Sequence, residues 1–374
     1  MSWRPEVPYD ELPSLPPTVE LETKAVLKAV VEARAALAAL EQASRRIPNP
    51  TVLINALPLL EAQASSEIEN IVTTTDELFR FAEDEAAASD SATKETLQYR
   101  RALFVGLELI RRRPLTATTA CEVCAVIKGR TMAVRQGRGT FIGNPATHEA
   151  VYTPPVGESR IRDLLSQWAQ FVHRDDGLDP LVTMALAHYQ FEAIHPFEDG
   201  NGRTGRILNV LLLVEAGLLS QPILYLSRYI IETKADYYAL LLSVTARGDW
   251  EAWILYVLEG LRRTALSTVA KIDAIHGLEL EVQAIIRSST TAGANADLLA
   301  VLFEQPYCRI GVVMARCGVS RPTATTWLRA LAEVGVLVSV RSGRERLFVN
   351  ARFVEVLTRD EGVEPRRAGE ATLF

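Results

Sequence analysis

The sequence predicts a mainly α-helical protein with a small β-hairpin in its middle and a mixed helical and β segment near its end. Apolar residues recur at helical spacing through most of the 374 residues. Two short runs around 139–153 are separated by Gly143-Asn144-Pro145, which is typical of an irregular hairpin. Close to the C-terminus, three short helical runs precede two β-rich runs, and this change of character indicates a separate unit.

The composition indicates a soluble protein without a membrane span. Hydrophobic residues make up 48% of the chain and charged residues 23%, which suits a protein with a large core. The net charge of −6 argues against nucleic-acid binding over the whole surface but allows a local basic patch. Apolar runs stay short of the ~20 residues of a membrane span. The first residues lack the apolar core of a signal peptide, so we expect a cytoplasmic protein.

The first hundred residues are predicted to form an N-terminal helical region. Residues 1–20 are rich in proline and are expected to lie extended over the surface. A helix is predicted over 21–47, where two prolines end it. A second helix is predicted from residue 51 to residue 60, and a polar helix over about 61–71.

Residues 101–286 are predicted to form a helical core around the hairpin. An acidic stretch over 79–91 is expected to be a loop or a frayed helix. The apolar spacing predicts helices over 93–113, 116–128, 161–173, 181–194, 207–214, 234–241, 249–258 and 261–286.

The stretch from His195 to Arg206, HPFEDGNGRTGR, carries the chemistry of this core. Glycines before a helix leave backbone N–H groups free to converge on an anion. Asp199 can hold Mg²⁺, which prefers carboxylate and phosphate oxygens. Arg203 and Arg206 are three residues apart, so both can reach one polyphosphate. His195 is placed as a general base for an incoming hydroxyl.

Two other glycine-rich motifs are excluded for this stretch. The spacing matches the dinucleotide-binding pattern G-x-G-x-x-G, but that pattern requires a preceding strand, and 181–194 is predicted to be helical. A P-loop is excluded because no Gly-Lys-Ser or Gly-Lys-Thr follows.

The stretch resembles the signature of the Fic family, H-x-F-x-(D/E)-G-N-G-R-x-x-R, at every specified position. The resemblance implies a Fic helical bundle and an adenylyltransferase, which moves AMP from ATP to a protein hydroxyl. By position, His195 resembles the catalytic base and Asp199 the Mg²⁺ ligand. The residues that resemble the phosphate-binding set are Gly200, Asn201, Gly202, Arg203 and Arg206.

A shorter pattern lies upstream, in the predicted polar helix. Ser65-x-x-x-Glu69-Asn70 is similar to the inhibitory pattern of one Fic subclass, (S/T)-x-x-x-E-(G/N). Without the downstream motif, this stretch would be a polar helix with its carboxylates in solvent. The resemblance implies that Glu69 pairs with Arg206, which would otherwise bind the γ-phosphate of ATP.

The resemblance also suggests roles for the hairpin and for a later helix. The hairpin at about 139–153 lies where a Fic flap would, and such a flap takes a target protein segment by strand addition. Without the resemblance it is only a surface hairpin. Tyr238 and Leu241 fall at positions that resemble the adenine-binding wall. The expected partners are ATP, Mg²⁺ and a target protein, with no membrane, and a homodimer stays open.

Residues 287–356 are predicted to form a C-terminal domain. Helices over 310–317 and 321–334 flank Gly318-Val319-Ser320, a turn typical of a helix-turn-helix, and a helix over 296–303 precedes them. The two β-rich runs that follow complete a winged helix. Its recognition helix and wing would present Arg321, Thr323, Thr325, Thr326, Arg329, Arg341, Arg344 and Arg346. DNA binding and packing against protein are both open for this domain.

Two classes of function follow from these observations. The leading hypothesis is a Mg²⁺- and ATP-dependent protein adenylyltransferase held in check by Glu69. The alternative is a DNA-binding regulator that uses the Fic core as a sensor. Within the enzyme class, phosphotransfer and AMP removal stay open, because Glu69 could also orient a water. The expected domain limits are 1–100, 101–286 and 287–356, with a disordered tail over 357–374.

Overall fold

The computed structural model describes residues 3–46, 51–82, 85–137, 140–143, 149–293, 295–342 and 345–359. Helices dominate this part of the chain, as the sequence predicts. A two-stranded and a three-stranded antiparallel sheet accompany them. None of the described helices is long and apolar enough to cross a membrane.

The N-terminal region is built from helices, of which the second packs against the fourth, while the first packs against the long helix over 250–289. The helices are α1 Lys24–Arg46, α2 Thr51–Ile68, α3 Thr75–Phe81, α4 Ser91–Ile110 and α5 Ala117–Lys128. The two helices predicted over 51–60 and 61–71 are therefore one helix, with Pro58 inside it. A helix-interior proline costs about 3 kcal/mol. Buried leucines beside it, each worth about 1.5–3 kcal/mol, outweigh that cost.

The stretch predicted as a loop or frayed helix over 79–91 joins two helices, and its described residues between them form a loop with a short 3-10 turn at Glu85–Ala87. α3 reaches Phe81, and α4 begins at Ser91. Thr74 caps α3 by accepting a hydrogen bond from the N–H of Glu77, and Asp90 caps α4 by accepting one from Thr93. These two caps fix where the segment after α2 turns back into the core.

The central hairpin forms where the sequence predicts it. It consists of β1 Ile142–Gly143 and β2 Ala150–Tyr152, which pair antiparallel. The N-terminal segment runs beside this hairpin: the N–H of Tyr9 donates to the carbonyl of Thr153, directly after β2, at 2.9 Å. The extended start of the chain therefore lies against the flap.

Two buried helices form the centre of the core. The core helices are α6 Glu158–Val172, α7 Pro180–Ile194, α8 Asn201–Glu215, α9 Leu226–Glu232, α10 Lys234–Arg247 and α11 Trp250–Ser289. α7 and α8 are buried on nearly every side, as expected of helices surrounded by others. The indole N–H groups of Trp168 and Trp253 each donate to a carbonyl of α7 at 2.8 Å. These bonds hold α7 in place from both sides.

α11 corrects another prediction. The helices predicted over 249–258 and 261–286 are one continuous helix of 40 residues. Gly260 lies inside it, in close contact with the ring of Tyr229, so the glycine serves packing rather than a break.

The C-terminal region contains a winged helix, as predicted. Its elements are α12 Ala296–Glu304, β3 Tyr307–Arg309, α13 Ile310–Cys317, α14 Arg321–Glu333, β4 Val338–Ser342, β5 Glu345–Val349 and α15 Ala351–Thr358. The strand order is β3-β5-β4. β3 and α15 are not predicted, and α15 enters the tail expected to start at residue 357. Leu357 is buried, while residues 360–374 lie outside the described residues.

Polar contacts tie the C-terminal region to the rest of the molecule. Nζ of Lys271, on α11, donates to the carbonyls of Val356, Leu357 and Arg359 at 2.7–2.9 Å. The hydroxyl of Tyr307 donates to the carboxylate of Asp76, on α3. A guanidinium nitrogen of Arg309 lies 3.4 Å from the carbonyl of Arg80, also on α3. The segment that follows α2 is therefore in direct contact with the C-terminal region.

Candidate active site

His195 lies directly after α7 in left-handed backbone, with φ 49°. Its N–H donates to the carbonyl of Phe191 at 3.0 Å. Left-handed backbone costs a residue with a side chain about 1–2 kcal/mol, so its surroundings must hold it there. Burial, helped by the charge of Arg135, lowers the pKa of His195 to about 4. The imidazole is therefore neutral at pH 7, as a general base must be.

Arg135 provides the contacts that hold His195. Its Nε donates to the carbonyl of His195 at 2.7 Å, and its Nη2 donates to the carbonyl of Pro155 at 2.5 Å. Its backbone N–H donates to the carbonyl of Pro196 at 2.9 Å. The side chain is buried, so these charged hydrogen bonds are strong. Arg135 is not a predicted site residue, because an isolated arginine sixty residues upstream carries no local signal.

The side chain of Asn201 closes the loop after His195. Its Oδ1 accepts from the N–H of Phe197 and its Nδ2 donates to the carbonyl of Phe197, both at 2.8 Å. Gly200, with φ 84°, makes the turn into α8. α8 begins at Asn201, so the N–H groups of its first turn, which lack helical partners, belong to the predicted phosphate-binding residues. Asn201 itself shapes the loop through its side chain.

Asp199 and Arg203 belong to a cluster of four charges. Nζ of Lys128 lies 2.6 Å from Asp199 Oδ2 and 2.8 Å from Glu95 Oε1. Arg203 Nη1 lies 2.7 Å from the same Glu95 oxygen, and its Nη2 lies 3.7 Å from Asp199 Oδ1. Burial opposes ionisation, but the bond to Lys128 lowers the pKa of Asp199. Glu95 and Lys128 come from α4 and α5 and are not predicted site residues.

The structure brings the predicted pair of Arg206 and Glu69 together. Arg206 Nη2 donates to Glu69 Oε1 at 2.8 Å. The same guanidinium donates from Nε to Ser65 Oγ at 2.8 Å and from Nη2 to the carbonyl of Ser65 at 2.9 Å. Although burial opposes it, the charge of Arg206 lowers the pKa of Glu69. A Cβ at Gly202 would collide with the Glu69 carboxylate, so this glycine makes room for the pair.

Asn70 completes the turn that presents Glu69. α2 ends at Ile68, so Glu69 lies just past the helix rather than within the predicted polar helix. Asn70 has φ 61°, a left-handed conformation that glycine and asparagine tolerate best. Its N–H donates to the carbonyl of Glu67 at 2.9 Å. This conformation gives a physical reason for the choice of glycine or asparagine at the end of the inhibitory pattern.

The residues predicted for the adenine wall lie on α10. Tyr238 is 43% exposed, and Leu241 is partly buried. Beside them, the hydroxyl of the buried Tyr237 lies 2.9 Å from Nε2 of His188. Burial lowers the pKa of His188 to about 3, so this histidine is a neutral packing residue. The surface of α10 at these positions is therefore aromatic and partly exposed.

The flap lies close to His195. The hydroxyl of Tyr152, on β2, donates to the carbonyl of Ala193 at 2.8 Å, which ties the flap to the last turn of α7. Phe141 is 51% exposed and Val151 37%. Residues 138–139 and 144–148 of the predicted flap region lie outside the described residues.

The residues predicted for nucleic-acid contact are on the surface of the winged helix. Arg321, Thr326 and Arg329 of α14 are exposed, while Thr323 and Thr325 are half-buried. Arg341 and Arg346 on the two wing strands are also exposed, and Arg344 lies outside the described residues. The opposite face of α14 packs inward through Trp327 and Leu328.

Comparison with models of known protein families shows which family the chain belongs to. The model described as Fic/DOC family matches residues 114–213, and the model described as Fic/DOC family N-terminal matches residues 27–108. The model of the protein adenylyltransferase SoFic-like C-terminal domain matches residues 278–353. Together the three matches span more than half of the chain. The chain belongs to the Fic/DOC family.

Curated relatives of this Fic/DOC protein are protein adenylyltransferases. The chain is 34% identical to protein adenylyltransferase fic-1 of Caenorhabditis briggsae over 105 residues, which is 28% of this chain and 19% of the relative. It is 23% identical to protein adenylyltransferase Fic of Drosophila grimshawi over 209 residues, which is 54% of this chain and 40% of the relative. The chain thus spans less than half the length of these relatives.

Solved structures share the fold of this Fic/DOC protein. A Fic family protein from Desulfovibrio desulfuricans G20 superposes with a TM-score of 0.57 at 20% identity, covering 90% of this chain and 98% of that chain. A fragment of Fic-1 from Caenorhabditis elegans gives a TM-score of 0.51 at 19% identity, covering 66% of this chain and 73% of that chain. The likeness to the first structure extends over the N-terminal region, the Fic core and the C-terminal region.

Proposed function

We propose that this protein transfers AMP from ATP to a hydroxyl of a protein side chain, and that Glu69 holds the enzyme in check. The observation that carries the proposal is a neutral His195 at the end of α7, followed across one short loop by two buried arginines, Arg203 and Arg206, in the first turns of α8. A neutral base and a fixed cationic site are what transfer from a triphosphate to a hydroxyl requires.

The chain's own residues would divide the work as follows. His195 takes the proton from the target hydroxyl of a serine, threonine or tyrosine. Because Nδ1 is buried, we assign Nε2 as the basic nitrogen. The hydroxyl oxygen then bonds to the α-phosphorus, the bond from the α-phosphorus to the bridging oxygen breaks, and pyrophosphate leaves with the electron pair. Arg203, Arg206 and the first N–H groups of α8 hold the phosphates in line.

Asp199 is the residue we assign to Mg²⁺. Its carboxylate is ionised and its side chain is 57% exposed, which fits an ion that takes one carboxylate together with phosphate oxygens. Lys128 is paired with this carboxylate and would have to give way. When bound, Mg²⁺ would neutralise charge on the phosphates.

Glu69 would inhibit by occupying the position of the γ-phosphate. Arg206 has its guanidinium committed to Glu69 and Ser65. ATP could still bind, but its α-phosphorus would be out of line with the target hydroxyl, and a small misplacement of reacting atoms can cost about 10²-fold in rate. The flap at about 139–153 would receive the target segment along an open strand edge. Tyr238 and Leu241 would contact the adenine.

The deciding experiment compares the wild type with Glu69→Gly, using ATP labelled at the α-phosphorus or at the γ-phosphorus. We expect α-label on the protein itself and on lysate proteins, faster by roughly 10²-fold in Glu69→Gly. Glu67→Gly is the matched control, because Glu67 lies on the same segment and is exposed. Transfer of γ-label alone would indicate phosphotransfer, and loss of label from modified protein would indicate AMP removal.

The same variant should change stability as well as rate. Glu69→Gly leaves the buried guanidinium of Arg206 without its carboxylate, so the protein without nucleotide should melt earlier. ATP should restore part of the melting temperature by linkage. Equal labelling and equal ATP-induced shifts in both proteins would contradict the inhibitory role of Glu69.

A second function is supported by the exposed cations of the winged helix. Arg321 and Arg329 on α14 and Arg346 on the wing face solvent, as a DNA-reading surface requires. We therefore propose duplex DNA as a second ligand, which would make the protein a DNA-binding regulator that uses the Fic core as a sensor.

A further inference from the structure

Glu192 is a carboxyl of the Fic core for which the proposed chemistry has no role. It lies on α7, three residues before His195. Its Oε1 is buried and accepts no hydrogen bond from any residue that the structure describes. An unpaired oxygen of this kind is costly if the carboxyl is charged, so the position requires an explanation.

The fold makes room for Glu192 in the same way as for Glu69. A Cβ at Gly205 would collide with the Glu192 carboxylate, as one at Gly202 would collide with that of Glu69. Both glycines lie within about one helical turn of Arg206. The Fic signature specifies the glycine at 202 but leaves the position of Gly205 open. Two carboxyl groups, from α7 and from the turn after α2, therefore approach the same part of α8.

Among the described groups that influence the charge of Glu192, Arg206 is the one cation. Burial, opposed by the charge of Arg206 and helped by that of Glu69, raises the pKa of Glu192 to about 7. Tyr237 and Tyr238 also face it from α10, but burial raises the pKa of each, so both are neutral. While Glu69 neutralises Arg206, a second carboxylate beside it would lack a counter-charge.

We propose that Glu192 is a second counter-ion of Arg206, protonated while Glu69 holds the arginine and ionised when Glu69 leaves. On release of Glu69, the O–H bond of the Glu192 carboxyl breaks, the proton goes to water, and the carboxylate pairs with Arg206. Without Glu69, Arg206 keeps its hydrogen bonds to Ser65 but has no paired carboxylate. A buried charge without a counter-charge is strongly unfavourable, so this step lowers the cost of releasing the inhibitory contact. When the γ-phosphate of ATP reaches Arg206, Glu192 takes a proton back.

Glu192 is thus a positioning residue that acts through Arg206. It keeps the guanidinium in place between the inhibited and the nucleotide-bound states. This inference rests on the proposed contact between Glu69 and Arg206. Its test uses no nucleotide, so it can fail or succeed independently of adenylyl transfer.

The test measures urea unfolding of four proteins at about pH 5.5 and about pH 8.5, where linkage exposes differences in protonation. The proteins are the wild type, Glu192→Gln, Glu69→Gly and the double variant. In the wild type, the pKa of Glu192 is about 7 in the folded state against an ordinary value of 4.5. The contribution of protonated Glu192 to the stability of the folded state is therefore present at low pH and is lost as the pH rises towards 7. Glutamine cannot ionise, so at the higher pH Glu192→Gln should unfold at a higher urea concentration than the wild type.

In the Glu69→Gly background the sign should reverse. There Glu192 is ionised and pairs with Arg206, so replacing it with glutamine should lower the unfolding midpoint at the higher pH. An identical effect of Glu192→Gln in both backgrounds would overturn the proposal. If the double variant does not fold, Glu69→Gly alone decides, since its midpoint should depend less on pH than that of the wild type. An equal or steeper dependence would refute the proposal.

Glu279→Gln is the matched control. Glu279 lies on α11, burial raises the pKa of its carboxyl, and its charged neighbour is His276 rather than Arg206. Glu279→Gln should change the pH dependence of the urea unfolding midpoint equally in the wild-type and Glu69→Gly backgrounds. A sign change for Glu279→Gln as well would mean that the reversal reports general destabilisation, which would also refute the proposal.

Discussion

At the scale of single residues, two left-handed backbone positions aim the reactive side chains. His195 has φ 49° and Asn70 has φ 61°. One follows the last turn of α7 and presents the base. The other follows α2 and presents the carboxylate of Glu69. Both groups are therefore fixed by backbone geometry, so substitutions that alter that geometry should matter as much as loss of the side chains.

Asn70→Val tests this idea. A β-branched residue is a poor fit to left-handed backbone, and we expect the turn to be destabilised by about 1–2 kcal/mol. The Glu69 carboxylate would then pair less often with Arg206, and self-labelling from ATP should rise. Asn70→Gly is the control, because glycine accepts the same φ. Equal rates for the two variants would show that the turn does not control Glu69.

His195→Ala tests the assigned base. Removing the imidazole should reduce transfer by roughly 10²–10⁴-fold, the usual contribution of general base catalysis. ATP binding should be largely kept, because the arginines and the amides of α8 remain. Labelling rates and ATP-induced melting shifts measure the two effects separately. Unchanged self-labelling would remove His195 from the mechanism.

At the scale of elements, the sequence predicts long helices better than junctions. α4 and α6 show one apolar face, so their spacing reveals them. Breaks are predicted at residues 60–61 and 258–261, but the structure has one continuous helix at each place, and buried packing overrides the local signals. β3 has three residues and exists because β5 pairs with it, so no local pattern could show it.

Some residues of the candidate site could be predicted from a local motif, whereas others are brought there only by the tertiary fold. His195, Asp199, Arg203 and Arg206 stand in one stretch, so a motif reveals them. Arg135, Glu95 and Lys128 reach the site through the tertiary fold, which the order of residues does not disclose. The pairing of Glu69 with Arg206 was predictable only because the upstream pattern resembles that of a Fic subclass.

The recognition helix α14 gives the element-scale prediction. If it enters a DNA groove, Arg321→Ala combined with Arg346→Ala should weaken duplex binding and reduce the salt slope by about 1 for each phosphate that is no longer neutralised. Arg316→Ala is a suitable control, because Arg316 is paired with Glu304 at 2.7 Å outside this face. Absence of duplex binding by the wild type at low salt would favour a packing role for the winged helix.

At the scale of the whole molecule, Lys271 joins the Fic core to the end of the chain's last described helix. Three carbonyls at the end of α15 share its ammonium group. Lys271→Met should therefore destabilise the protein by about 1–3 kcal/mol, because it leaves the buried carbonyl of Leu357 and two partly buried carbonyls without their donor. Urea unfolding measures the change, and Lys28→Met, on the exposed face of α1, is the control. A midpoint equal to that of the control would show that water replaces the ammonium group at little cost.

The continuity of α11 limits how such proteins can evolve by domain recombination. The family match for the C-terminal domain begins at residue 278, in the middle of this 40-residue helix. An exchange of domains at that point would join two half-helices, and one inserted residue would rotate everything beyond it by about 100°. Tyr307 and Arg309 would then turn away from α3. Recombination at this junction should therefore preserve helical phase, and inserted or deleted residues should be tolerated only in the loop after Ser289.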